Sequence, residues 1–189
     1  MAAIVAVYDA CVLHAEPLRD FMVQLTLSDH VRVHWSERIH EEWQRSVRRR
    51  NPELDPAKLE RTRKLMDAAN PDGLVEGFEP LIDTLTLPDP DDRHVLAAAI
   101  KMHAECIVTA NLKDFPKEKL EPYGITAMHP DDFVMCIYAA SPNEVYLAAK
   151  LCRGRRRKPP STPEEYVDLL EQQGLVSTAE ILREAIDLI

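Results

Sequence analysis

The chain is predicted to fold as an α/β protein, a parallel sheet between two layers of helices (an α/β/α sandwich) followed by a C-terminal α-helical extension. Short β-branched apolar runs alternate with helix-length amphipathic stretches up to about residue 128. Such alternation builds βαβ units with helices on both sheet faces. Before residue 128 three helix starts carry a proline in or beside the first turn (Pro17, Pro56 and Pro90), and beyond Pro130 the strand pattern stops.

In chain order, Ile-Val-Ala-Val-Tyr at 4–8 suits a central parallel strand, and Asp9 marks its carboxyl end. Pro17 opens a helix over 17–27. A second strand is expected at 31–34, after which Ser36 caps a helix with Ile39, Trp43 and Val47 at four-residue spacing. Pro52 lies past its end. Asp55-Pro56 is a cap followed by a first-turn proline and starts a helix over 56–69, which Asn70-Pro71-Asp72-Gly73 turns. Residues 73–87 fit neither period. Asp89-Pro90 repeats the cap signal and launches a helix over 91–103; buried strands are expected at 106–109 and 124–128. Helices at 131–140, 142–151, 163–173 and 178–188 make up the extension, with a flexible joint at 153–160 where basic residues meet two prolines. The expected domains are residues 1–133 and 134–189.

Composition narrows the function. With 189 residues, 46% of them hydrophobic, the chain fills one core of ordinary size. No run approaches the roughly 20 apolar residues of a membrane span, and the N-terminus lacks signal-peptide features, so a soluble cytoplasmic protein is expected. Cys11, Cys106, Cys136 and Cys152 have neither zinc-knuckle nor redox-dithiol spacing and read as buried reduced thiols. A net charge of -9 excludes a broadly basic nucleic-acid-binding body. Two basic clusters stand out against it: Arg45 with Arg48, Arg49 and Arg50, and Arg153 with Arg155, Arg156, Arg157 and Lys158. Either suits backbone phosphates.

Four acids fall where strands end or helices begin: Asp9, Glu42, Asp92 and Asp114. Asp92 shares a helical face with Val95, Leu96 and Ala99, so it points inward, with Asp91 its nearest rival. Glu42 borders Ile39 and Trp43, whereas Glu41 sits among charged neighbours. Singly, each acid is explained by capping or a boundary ion pair. Converging on the crevice at the carboxyl ends of parallel strands, they repel one another unless a divalent cation compensates them. Hard oxygen donors select Mg²⁺ or Mn²⁺, which points to phosphodiester chemistry, with Thr109 and Asn111 placed to fix ligands or phosphate.

Asp9 after its strand, Ser36 six residues before Glu42, Asp92 opening an Ala-rich helix, and Thr109-x-Asn111-x-x-Asp114-Phe115 together resemble the PIN domain family, especially the VapC toxins of bacterial toxin–antitoxin pairs. The resemblance spans residues 3–133 and extends to a helical tail found on a subset of VapC-like proteins. It implies that Asp9, Glu42, Asp92 and Asp114 bind Mg²⁺ or Mn²⁺ and support single-strand ribonuclease activity leaving 5′-phosphate and 3′-hydroxyl ends. It also implies a homodimer silenced by a small antitoxin. Cys11 departs from the Asn or Ser that many members carry there, and a thiol cannot reproduce the same oxygen contact.

RNA is the expected substrate, with Arg45, Arg49, Arg155, Arg156 and Arg157 as candidate phosphate contacts. Two other readings compete. A haloacid-dehalogenase-like phosphatase also ends its first strand in Asp, but wants a second acid where Cys11 stands. A PIN-like RNA-binding scaffold without turnover is opposed by the intact acidic set.

Overall fold

A computed structural model describes residues 3–157 and 159–189. Five strands, β1 (Ile4–Tyr8), β2 (Val31–Ser36), β3 (Leu74–Val75), β4 (Cys106–Val108) and β5 (Thr126–Met128), form one sheet in the order β3-β2-β1-β4-β5. Every pairing is parallel. The chain winds from β1 outward through β2 and β3, then returns to β1's other side with β4. The β1/β4 seam is therefore the point where the direction of winding switches, and a crevice opens at the strands' carboxyl ends there.

The sandwich is flanked by α1 (Ala10–Leu13), α2 (Glu16–Leu25), α3 (Glu37–Arg50), α4 (Pro56–Ala69), α5 (Glu79–Ile82), α6 (Arg93–Lys101) and α7 (Lys117–Leu120). The expected caps form. Ser36 Oγ accepts the Ile39 N–H at 3.3 Å, Asp55 Oδ1 the Ala57 N–H at 2.9 Å, and Asp89 Oδ1 the Asp91 N–H at 2.9 Å. Trp35, Trp43, Tyr8 and Phe133 are fully buried, with Tyr8 and Phe133 packed edge to face at 5.7 Å.

Several boundaries differ from expectation. α1 follows Asp9 directly, before the helix that holds Pro17; a single turn is too short to show a helical period. β3 and α5 occupy part of the stretch that fitted neither pattern. The helix expected over 91–103 divides into a 3₁₀ turn, Pro90–Asp92, and α6, so Asp92 sits at the N-cap of α6. Cys106 and Cys152 are buried, while Cys11 and Cys136 are part-exposed.

The extension comprises α8 (Pro130–Ala140), α9 (Pro142–Arg155), α10 (Pro163–Gln172) and α11 (Val176–Glu184). It packs on the sandwich through α9 and α10 against α2, while α11 packs within the extension against α8. The expected domain junction after residue 133 falls inside α8. At the start of the flexible joint expected at 153–160 the structure differs: α9 continues to Arg155, and Arg153, Arg155 and Arg156 are hydrogen-bonded to their surroundings. Arg153 donates to the carbonyls of Ser161 (3.2 Å) and Ile189 (3.3 Å), Arg155 to Gln24 (2.7 Å) and Asp20 (3.1 Å), and Arg156 to both Glu16 oxygens (2.8 and 2.7 Å). These bonds substitute for the visiting anion that the charge density suggested. Lys158 lies outside the described residues. Among those residues no helix is long and apolar enough to cross a membrane.

One buried carboxylate locks the last helix down. Asp131, 7% exposed, accepts the Ser177 N–H at 2.8 Å, the Thr178 N–H at 2.9 Å and the Thr178 hydroxyl at 2.7 Å. It thereby caps α11 from α8. Burial pulls its pKa upward, but the Thr178 and Ser177 hydrogen bonds outweigh burial and hold it below the usual 3.8. The stabilisation is thus present above that value and lost as pH falls through the lowered one. Asp131→Ala is expected to cost about 3 kcal/mol in urea unfolding at neutral pH, with the gap from wild type narrowing in strong acid.

A candidate carboxylate active site

The crevice at the β1/β4 seam is built around Asp9. Its backbone N–H donates to the Val108 carbonyl at 3.0 Å, fixing the residue between the two strands. Its side chain is 5% exposed, and Oδ2 accepts from the Thr109 hydroxyl at 2.8 Å and the Cys11 thiol at 3.1 Å. Burial raises the Asp9 pKa; hydrogen bonds from Cys11, Thr109 and the Ala10 N–H oppose that, and the Glu42 charge adds to the rise.

Cys11 turns out to be a donor at the position where an oxygen side chain was expected. Burial, then the field of Asp9, pushes its thiol up to about 12, so it keeps its proton and its bond to Asp9. Sγ also accepts the Ala110 N–H at 3.2 Å and lies 3.4 Å from Thr109 Oγ1. One thiol therefore ties the β1–α1 turn to the chain leaving β4. Thr109 Oγ1 in turn accepts the Asn111 N–H at 3.0 Å. Asn111 is exposed, and it is its backbone that joins this network.

Glu42 and Asp92 stand on facing helices. Glu42 on α3 is about one-third exposed and its Oε1 lies 2.9 Å from His94 Nε2, whereas Glu41 is fully outward. Asp92 is half-buried and Asp91 exposed, as the helical-face argument requires. Burial, reinforced by the charges of Asp9, Asp89, Asp114 and Glu42, pushes the Asp92 pKa up to about 7. The four candidate acids thus lie within one electrostatic field. Asp114, in the 3₁₀ turn Leu112–Asp114, is part-exposed at its edge.

Among the described residues no three His, Cys, Asp or Glu side chains converge closely enough to hold an ion between them. The donors nonetheless suit a hard cation that keeps most of its water: all are carboxylate oxygens, and the repulsion at Asp92 is unrelieved. Arg45 and Arg49 are exposed on α3, and Arg157 is exposed beyond α9, while Arg155 and Arg156 spend their charge on α2. A groove of about 990 Å³ between α2 and α4, under Arg155–Arg157, contains none of the four acids.

His94 escaped the sequence reading because its partner lies on another helix and nothing local distinguishes it from the apolar residues around it. The same holds for His40, which joins Asp67 at 2.9 Å and Trp43 at 2.9 Å in a satisfied structural cluster behind α3.

Residues 130–184 match the VapC50 C-terminal domain. The chain is 45% identical over 85 residues to the Mycobacterium tuberculosis (strain H37Rv) protein named "Putative ribonuclease VapC50", covering 43% of this chain and 48% of that protein. The alignment thus spans about half of the relative's length. No solved structure matches. Residues 5–113, which carry Asp9, Glu42, Asp92 and Thr109, match the PIN domain model, and the chain belongs to the PIN domain family.

Proposed function

We propose that this protein is a divalent-metal-dependent endoribonuclease of the VapC type, the toxin of a toxin–antitoxin pair. The observation that carries the reading is the gathering of acids around half-buried Asp92, whose pKa is raised by burial first and then by the charges of Asp9, Asp89, Asp114 and Glu42, a cost that a bound cation would offset. The relative's printed name supports the ribonuclease activity.

Asp9, Glu42, Asp92 and Asp114 would hold Mg²⁺ or Mn²⁺, which when bound supplies positive charge to the scissile phosphate and acidifies water. The protein's own part is to position and exclude. Thr109 and Cys11 fix one Asp9 oxygen, while the apolar core behind Asp9 keeps bulk water to one side. Asp114, part-exposed at the edge, would complete the site or orient the attacking water. Arg45 and Arg49 offer phosphate contacts. A homodimer, a small antitoxin covering the crevice, and a cytoplasmic setting complete the reading.

Purified protein should cut a mixed tRNA and rRNA substrate with Mg²⁺ or Mn²⁺ and not with EDTA. The Asp9→Asn, Asp92→Asn double variant should be slower by about a hundredfold or more. No metal-dependent cutting by antitoxin-free protein would defeat the assignment and favour a PIN-like scaffold.

The repulsion has a second consequence. Because the folded pKa of Asp92 exceeds the ordinary 3.8, the folded state binds a proton that the unfolded chain releases between 3.8 and about 7. Stability is therefore lost as pH rises through that window. In metal-free protein Asp92→Asn should raise stability above pH 8, by about 1 kcal/mol once solvent screening of this half-exposed group is allowed for. Near pH 4 the gain should vanish; thermal melts at the two pH values check it.

A further inference from the structure

His94 is an expensive residue where it stands. It is 2% exposed on α6, among Val95, Leu96, Ala97 and Ala98, and its Nδ1 is buried without a hydrogen-bond partner. An apolar side chain would avoid that cost, since a buried polar atom left unpaired loses its hydration and gains no hydrogen bond in return. Its one hydrogen bond is from Nε2 to Glu42 Oε1, 2.9 Å away across the gap between α6 and α3. A carboxylate only accepts, so the shared proton sits on Nε2, and Nδ1 is the atom left without a partner.

Glu42 gains more from this bond than the fold does. At about one-third exposure it could be solvated without His94 and would be free to rotate outward. As placed, it reaches from α3 across to the start of α6, whose N-cap is Asp92. Asp9 is held by Thr109 and Cys11; Glu42 is held by His94. The same turn of α6 also presents Asp92, so one helix start delivers one acid and orients another.

We propose that His94 is the positioning residue for Glu42, holding that carboxylate at the start of α6, beside Asp92, where a cation bound in the crevice would need it. The proposal rests on the metal-dependent reading above. Groups that orient a metal ligand typically change affinity by about 10–100-fold when removed.

The test is Mn²⁺ affinity by titration calorimetry, with RNA cleavage alongside, for wild type, His94→Leu, His94→Gln, Glu42→Gln and the Glu42→Gln, His94→Leu double variant. His94→Leu should melt at or above the wild-type temperature, because it removes an unpaired buried nitrogen, yet bind Mn²⁺ roughly tenfold or more weakly. His94→Gln, whose amide N–H can reach the same oxygen, should recover most of the affinity. In the Glu42→Gln background His94→Leu should have no further effect. Wild-type affinity in His94→Leu, equal losses in both backgrounds, or failure of Gln to rescue would overturn the role of His94 alone. Wild-type protein that neither binds Mn²⁺ nor cuts RNA would remove the metal reading itself, and this inference with it.

Discussion

Everything at the site depends on the hydrogen bonds that place a buried carboxylate where β1 leaves the sheet. The Asp9 N–H bonded to Val108 fixes the strand end. The Thr109 and Cys11 bonds then fix the carboxylate, which would otherwise take up a proton or turn outward. Because β1 is central and β4 pairs on its other side, the strand end opens into the crevice at the switch in winding. The remaining acids need only be delivered to that crevice by the starts of α6 and the turn after β4, and by the middle of α3. The unfavourable field recorded in Asp92 is the consequence of bringing them together.

The same economy explains the extension. α9 and α10 lie against α2, whose outer face carries Glu16 and Asp20, and the arginines at the end of α9 neutralise those acids. Exposed ion pairs contribute only about 0–1 kcal/mol each. The firmer attachment is the buried apolar contact made by Val145, Ala149, Tyr166 and Leu170, together with Asp131 capping α11. A dense basic run thus becomes part of the packing of the C-terminal helices, and its sequence neighbours need not move.

Much of this was legible in sequence because it is local. Period-two runs, cap residues and first-turn prolines identify β1, β2, α3, α4 and the helices of the extension within a few residues. Helical spacing separates Asp92 from Asp91 and Glu42 from Glu41. What was illegible depends on partners far apart in the chain. His94 and Glu42 are 52 positions apart, Cys11 and Ala110 are 99 apart, and Arg155 and Asp20 are 135 apart. No periodicity encodes those distances. The short elements α1, β3 and α5 are also hidden, since one turn or two residues cannot display a period.

The charge of the chain takes on meaning once its arginines are sorted by what they touch. Arg155 and Arg156 are committed to α2, so a polyanion approaching an acidic crevice on a chain of net charge -9 must find its relief elsewhere. α3 supplies it. Glu42, Arg45 and Arg49 lie at i, i+3 and i+7, on one face of a single helix, with both arginines exposed. At about 1.5 Å per residue, that face carries cations over roughly 10 Å leading away from Glu42. In the proposed nuclease a strand laid along α3 would meet its phosphate contacts on the same rigid element that presents an acid of the site. The register between RNA and carboxylates would then be set by a helix, with no loop needed to fix it.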